Sequence, residues 1–455
     1  MSGFPEWLPQ ARIVEDHILG IFRREFELHG FAGIETRAVE PVAQLLAKGE
    51  TSKEVYLLRR LHSEANAADT ANAADTADAA EEGRTLGLHF DLTVPFARYV
   101  VENAGHLDFP FKRYQIQKAW RGERPQDGRF REFTQADIDV VGQDSLPLHY
   151  EAELALVAAR ALDALRAHGL PPVRMGINNR KVSQGFYEGL GLNDVTGVLR
   201  TIDKLDKIGP EGVLAALQAE NGATADQARR CLDLAAISGS DDTVADRVRA
   251  LGVRNGLLDE GLAELIQVVQ TLQRRAPGVA TADLRIARGL DYYTGTVYET
   301  TLMGHEDLGS ICSGGSYASL ATDGARTYPG VGLSIGVTRL VSRILSAELM
   351  HASRKVPTAV LVAVGHEDRR ERSEDIAQQL RSRGVPTETA PAAAKFGKQI
   401  RYADRRGIPF VWFPGQDEDG EVKDIRSGDQ VRADAGQWLP PGPDLWPQVA
   451  PGGAG

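Results

Sequence analysis

Only two cysteines, Cys231 and Cys312, occur in the 455 residues, and they lie far apart along the chain. That excludes a disulfide framework and any cysteine-rich zinc module, and predicts two reduced thiols. No apolar run approaches the ~18 residues needed to span a bilayer, and the opening MSGFPEWLPQARIVEDH has no basic stretch leading into an apolar core. A soluble cytoplasmic protein with no membrane partner is expected. Positive charge is also short: 52 Lys and Arg against 63 Asp and Glu leave a net charge of −11. This argues against a non-specific nucleic-acid binder unless the cations are gathered locally. Phosphate-binding glycine signatures are missing as well, with no G-x-x-x-x-G-K-[ST] and no G-x-G-x-x-G between a strand and a helix. The ten histidines form no H-E-x-x-H or H-x-H pair, so no protein-held metal site is expected. Any phosphate bound here must be held by arginines.

What is present has the make-up of a globular chain of about three structural units, at ~150 residues per domain. Ile13, Ile18, Leu19, Ile21, Phe22, Phe26 and Leu28 recur at helical spacing before Gly30, which predicts an amphipathic helix over 10–29. Short strands are expected at 55–58 and 86–90. Between them the tandem ANAADTANAADTADAA, within about 64–82, offers almost nothing to bury and predicts a disordered surface loop. The stretch 111–142 reads as two strands joined by a charged loop. It is followed by a helix over about 149–168, a short strand near 173–177 and a helical insertion over about 178–276. Strands return near 284–287, 296–302 and 310–312, and a helix begins near Ile335. From 356 to 435 strands and helices alternate, which predicts a small α/β domain with mainly parallel pairing. The Pro/Gly-rich residues 436–455 read as a flexible tail.

The densest polar constellation is 119–135, AWRGERPQDGRFREFTQ. Arg121 and Glu123, two apart at a strand end, face one side, as do Gln135, Asp137 and Asp139 on the returning strand. A guanidinium presents a planar fork of donors to phosphate, while carboxylates and an amide accept from an ammonium or a heterocyclic N–H. One sheet face with both sets can hold a nucleotide triphosphate beside a small zwitterion.

Arg121-Gly122-Glu123 followed by Arg129-Phe130-Arg131-Glu132-Phe133 resembles motif 2 of class II aminoacyl-tRNA synthetases. Leu284 to Glu299, LRIARGLDYYTGTVYE, resembles the R-G-L-D-Y-Y signature of histidyl-tRNA synthetases, and Phe90 to Tyr99 resembles their amino-acid-binding strand. Gly330 to Leu340 is similar to class II motif 3, and Lys395 to Asp404 resembles the anticodon-binding domain of the same family. The resemblance implies an α+β fold: a class II antiparallel sheet flanked by helices in a catalytic domain over 1–350, with the helical insertion, and a C-terminal α/β anticodon-binding domain over 356–435. The implied activity is ATP-dependent ligation of L-histidine to tRNA(His) through a histidyl-adenylate. The resemblance also implies ATP as a substrate with Mg²⁺, and a homodimer.

Carried over by motif position, the resemblance implies that Asp91, Thr93 and Gln135 hold the histidine ammonium, with Leu92 a further histidine-binding residue. Asp139 and Tyr293 would bond the imidazole nitrogens, and Tyr292 would line the same pocket. Arg121 would bind the α-phosphate, Glu123 the adenine, and Arg129 and Arg339 the terminal phosphates, with Arg288 a second catalytic cation beside Arg121. Lys395, Lys398 and Arg401 would meet tRNA phosphates. The sequence departs from the family at Ser316 and Ala318, where an Arg and an Asp are usual, and at Arg37, where motif 1 has proline. Two other outcomes stay open: a non-catalytic histidine-binding relative of the ATP phosphoribosyltransferase regulatory type, and a diverged synthetase paralogue.

Overall fold

The computed structural model describes residues 1–46, 54–59, 85–287, 289, 292–322, 324–415 and 419–453. The tandem repeat and the whole of the loop expected at 64–82 lie outside them, as do Arg288 and Asp291. The described residues divide into two compact units, one of 1–5, 19–166 and 171–343, the other of 6–18, 167–170 and 344–455.

The first unit is organised on a nine-stranded sheet. At its centre Phe111–Trp120, Glu132–Val141, Gly330–Gly336, Ser310–Tyr317, Thr296–Leu302 and Val173–Asn179 pair antiparallel in that order. Ala32–Gly33 joins one edge parallel to Phe111–Trp120, and Ala280–Asp283 joins the other parallel to Val173–Asn179. Strand Gly330–Gly336 runs two residues past Ser334, so the helix expected from Ile335 opens at Val337. Glycine is required along this seam: a Cβ on Gly314 would lie 2.0 Å from the Gly332 carbonyl oxygen. One face packs helix His149–Ala164, whose Ala152, Ala155, Ala158 and Ala159 are buried with Leu154 and Val157, small residues that let a helix approach a sheet closely. Tyr298 Oη reaches this helix and donates to the Glu151 carbonyl at 3.0 Å.

The segment expected as a strand at 90–99 is instead a turn and a helix, Thr93–Asn103. The cause is local, because the Asp91 carboxylate accepts from the Val94 N–H at 3.0 Å and satisfies one of the donors a helix start leaves open. The helical run between 180 and 275 is punctuated the same way. Asp194 caps Val195–Ile202, Thr224 and Gln227 form a reciprocal capping box, and Asn255 caps Gly256–Arg275.

The second unit holds a five-stranded sheet ordered Thr387–Thr389, Val360–Val362, Phe410–Pro414, Asp419–Asp424, Gln430–Asp434. The first three are parallel as expected, but the last two pair antiparallel, which makes the sheet mixed. Helix Arg370–Ser382 buries Ile376, Ala377 and Leu380 against Val360, Val362 and Trp412, while Ala403 of Phe396–Arg406 packs with Leu361, Val364 and Val411. In helix Pro9–Leu28 the buried residues Val14, Ile18, Phe22 and Phe26 keep a strict four-residue spacing. The expected flexible tail is not one. Val449–Pro451 pairs antiparallel with Met350–Ala352, and the buried Arg354 guanidinium donates to the Asp444 and Leu445 carbonyls at 2.8 and 3.0 Å. Prolines there shape an extended chain that one arginine and one short ladder tie down. Both cysteines are free and buried.

Candidate active site

Alternation along the strands decides what the exposed face of the first sheet carries. Strand Phe111–Trp120 sends Tyr114 and Ile116 to one side and Arg113, Gln115 and Gln117 to the other. In register, Arg113 lies opposite Asp139, Gln115 opposite Asp137, and Gln117 opposite Gln135. The resulting polar face supports two compartments.

The outer one is a cavity of about 290 Å³ lined by Arg121, Glu123, Arg129, Gln135 and Arg339, with Phe133 among its apolar residues. Two of its three guanidiniums are fixed by backbone oxygens: Arg121 Nε donates to the Phe90 carbonyl at 3.0 Å, and Arg339 donates from Nε to Gly128 at 2.8 Å and from Nη1 to Ser310 at 2.5 Å. Arg121 also lies over the Phe133 ring, 5.1 Å from its centroid. Arg129 stands 3.8 Å from Glu123. Carbonyl anchors hold an arginine in place without cancelling its charge, so the cavity presents oriented cations. Cys312 is also in the lining, and burial pushes its thiol up to about 12, which keeps it a protonated wall rather than a nucleophile.

The inner compartment, about 30 Å³, is lined by Thr93, Asp137, Asp139, Tyr292, Tyr293 and Tyr317 and shares Ser313 and Ser334 with the outer one. Tyr292 stacks edge-on against Tyr293 at 5.2 Å and lies at the same distance from Tyr317. Burial, and then the Asp139 charge, raise all three tyrosine pKa values, so the phenols stay protonated donors. Gly289, at φ +66°, makes the turn that places them: its carbonyl accepts from the Tyr292 and Tyr293 N–H groups, and a Cβ would sit 1.9 Å from Tyr293. Asp139 is buried and doubly engaged, with Oδ2 2.7 Å from Arg113 and Oδ1 accepting from Tyr317 at 3.1 Å. Arg113, itself fully buried, also lies 4.1 Å from the Phe96 ring centroid.

Arg121, Glu123, Arg129, Gln135 and Arg339 therefore meet in one cavity, and Thr93, Asp139, Tyr292 and Tyr293 in the other. Asp91 and Leu92 line neither. Asp91 is half-buried and acts on Tyr292, Tyr293 and Asp137 of the inner compartment through its charge, and the Leu92 side chain is buried. Arg288 falls outside the described residues. Lys395, Lys398 and Arg401 are exposed on helix Phe396–Arg406 and its cap, in the second unit. Sequence reasoning gave no role to Arg113, Tyr317, Ser313 or Ser334, and placed Asp137 on the polar face without a role of its own. The available signal was the polar parity 113, 115, 117, overlooked beside its apolar counterpart. Ser316 faces away from both compartments, toward the buried Glu151, whose carboxyl is raised by burial and opposed by the Ser316 and Thr296 hydroxyls.

An antiparallel sheet that sets oriented arginines beside a closed polar pocket has the make-up of a class II aminoacyl-tRNA synthetase core. A family model described as histidyl-tRNA synthetase matches residues 3–340, and one described as an anticodon-binding domain matches 358–437. A histidine–tRNA ligase of Micrococcus luteus is 62% identical over 99% of this chain and 98% of its own length, and one of Cutibacterium acnes is 58% identical over 99% and 98%. The crystal structure of a histidyl-tRNA synthetase from Nostoc superposes with a TM-score of 0.81 at 36% identity, covering 96% of each chain. The chain belongs to the histidyl-tRNA synthetase family.

Proposed function

We propose that the chain ligates L-histidine to tRNA(His) at the expense of ATP, through a histidyl-adenylate. The observation that carries this reading is the common wall of Ser313 and Ser334: a compartment of anchored arginines opens beside one of buried acceptors and phenols. A triphosphate suits the first and a small amino acid the second.

Adenylation then follows from charge and placement. The histidine carboxylate attacks the α-phosphorus in line, a P–O bond forms, and pyrophosphate leaves with the bonding pair. Negative charge gathers on the non-bridging oxygens, where Arg121, held by the Phe90 carbonyl, stabilises it, with Arg288 its expected partner. Glu123 would meet the adenine edge, and Arg129 and Arg339 the terminal phosphates. Among the described residues no group of three His, Cys, Asp or Glu could hold a metal, so Mg²⁺ would enter with ATP as part of the substrate. The tRNA 3′ hydroxyl then attacks the adenylate carbonyl and releases AMP, a step that depends on positioning. The catalytic domain is assigned to 1–350 and the anticodon-binding domain to 356–435, with Lys395, Lys398 and Arg401 facing tRNA phosphates. A cytoplasmic homodimer completes the proposal. Among the described residues no helix is long and apolar enough to cross a membrane.

The deciding experiment is histidine-dependent exchange of labelled pyrophosphate into ATP, followed by transfer of labelled histidine to tRNA(His). Both are expected. Histidine binding without exchange would refute the ligase and identify a regulatory relative.

A further inference from the structure

The third guanidinium of the outer cavity is held differently from the other two. Arg121 and Arg339 are fixed by backbone carbonyls, whereas among the described residues no backbone oxygen anchors the Arg129 side chain, and Glu123 stands 3.8 Å from it. Its place therefore depends on the chain that carries it. Gln126 and Arg129 exchange N–H···O bonds of 3.2 and 3.0 Å, so Asp127 and Gly128 form a two-residue apex, with Gly128 at φ +66°. So short a hairpin holds little by itself.

Helix Val337–Ser346 supplies the support. The Gly128 carbonyl accepts from Arg339 Nε at 2.8 Å, and a Cβ on Gly128 would stand 2.7 Å from Leu308 Cδ1, so the apex lies against both residues. Arg343, one helical turn beyond Arg339 on the same face, reaches the other apex residue. Its Nη2 lies 3.2 Å from Asp127 Oδ2 and 2.7 Å from Asp307 Oδ2, and its Nη1 lies 3.2 Å from Asp307 Oδ1 and 3.4 Å from His305 Nδ1. Two-point contact with Asp307 sets the plane of the guanidinium and leaves a second Nη2 hydrogen for Asp127. The Arg343 side chain is 13% exposed and that of Asp127 82%, so the anchor is the sheltered partner and the apex the open one. Arg343 does not line the cavity.

We infer that Arg343 is a positioning residue for the triphosphate: through Asp127 it holds the 126–129 turn on the helix and so sets where Arg129 enters the cavity, without itself touching nucleotide. The inference rests on the ATP-using reading above.

The test uses the full-length enzyme. In Arg343→Met the KM values for ATP and for pyrophosphate in histidine-dependent exchange should both rise about threefold to tenfold, with kcat within about twofold of the parent, because a terminal-phosphate contact is weakened equally in ground and transition states. The KM for histidine and the inhibition constant of AMP, which has no terminal phosphates, should stay within about twofold. In an Arg129→Ala background the same substitution should add less than about 1.5-fold, since the residue it places is gone. Asp127→Ala separates placement from charge, and serves alone if Arg343→Met does not fold, because it alters only an exposed apex. Removing that carboxylate would by itself favour a polyanion and lower the ATP KM. Loss of the turn's placement should instead raise it, by about twofold to fivefold. An unchanged or lowered ATP KM in either variant overturns the inference. So does an equal rise in the AMP inhibition constant or the histidine KM, and so does a full effect of Arg343→Met on top of Arg129→Ala. If the parent enzyme shows no exchange, the ligase reading fails alone. Calorimetric titration of ATP and AMP into parent and Asp127→Ala then decides the role of Arg343 separately: weaker ATP binding with unchanged AMP binding supports it, and any other result overturns it.

Discussion

The two halves of the site handle charge in opposite ways. In the outer compartment Arg121 and Arg339 are half-buried, Arg129 is exposed, and backbone carbonyls anchor the first two. The inner compartment buries its charges: Arg113 and Asp139 neutralise each other, Asp137 is sealed beside them, and three tyrosines close the walls. On the proposed reading the outer half would attract a triphosphate by field and tolerate water. The inner half would discriminate, because a wrong side chain would leave buried polar groups without partners. Affinity and selectivity would then be supplied by different physics in adjoining compartments, and mutations in each half should fail differently.

The largest expected effect is in the outer half. Arg121→Ala should lower the exchange rate by about a hundredfold to a thousandfold, the typical cost of one transition-state donor. Thermal stability should change little, because a partly exposed arginine is removed. Arg121→Lys should recover only part of the rate, since an ammonium lacks the planar fork. Stopped-flow exchange and a melting curve measure both. A large loss of stability in Arg121→Ala would erase the contrast between the halves.

Arg113→Met reverses that pattern. It strands the Asp139 carboxylate in the interior, at a cost of about 3–5 kcal/mol in folding stability. Urea unfolding should show this, and the double variant Arg113→Met/Asp139→Leu should regain most of it, because the pair is then replaced by apolar side chains. If the single variant is as stable as the parent, the buried pair is not what holds the inner wall.

Asp137 gives a smaller effect with a definite sign. Burial pushes its carboxyl up to about 7 from an ordinary 3.8, against the pull of Arg113 and the Ser334 hydroxyl. The folded chain then binds this proton more tightly than the unfolded chain. The stability from that proton is complete below about pH 4 and is lost as pH rises through 7. Melting curves of the ligand-free enzyme should therefore fall from pH 5 to pH 8, and Asp137→Asn should flatten that fall, a gain of about 1–3 kcal/mol at pH 8. Parallel pH profiles for parent and variant would show that Asp137 stays ionised throughout.

These contrasts also explain what could be read from the chain beforehand. Part of the arginine half was legible because Arg121, Glu123 and Arg129 lie within nine residues just beyond strand Phe111–Trp120 and line one cavity. The inner half depends on register. That Arg113 faces Asp139 is set by how two ten-residue strands slide against each other, which neither strand states by itself. The local fold around Asp91 was hidden for a related reason: D-L-T-V reads as an extended segment until the Asp91 carboxylate is seen to accept from the Val94 N–H at the start of the following helix. Trp438 and Leu445, which pack against the core of the second unit, were hidden in a composition that resembles a loose tail.

The smallest effect tests whether exposed cations behave alike wherever they occur. Lys395, Lys398, Arg401 and Arg405 repeat at three- and four-residue intervals along one side of helix Phe396–Arg406, while Gln399 and Ala403 face inward. Like Arg129 they are exposed, but no buried wall excludes water around them, so each contributes a screened attraction. Lys398→Ala should raise the KM for tRNA only about twofold to fivefold at low salt. It should also reduce the slope of log affinity against log salt by about one, as expected for one lost phosphate contact. Pyrophosphate exchange, which needs no tRNA, should be unchanged. An unchanged salt slope would leave this helix face as ordinary solvated surface, and would confine the use of exposed cations in this chain to the triphosphate cavity.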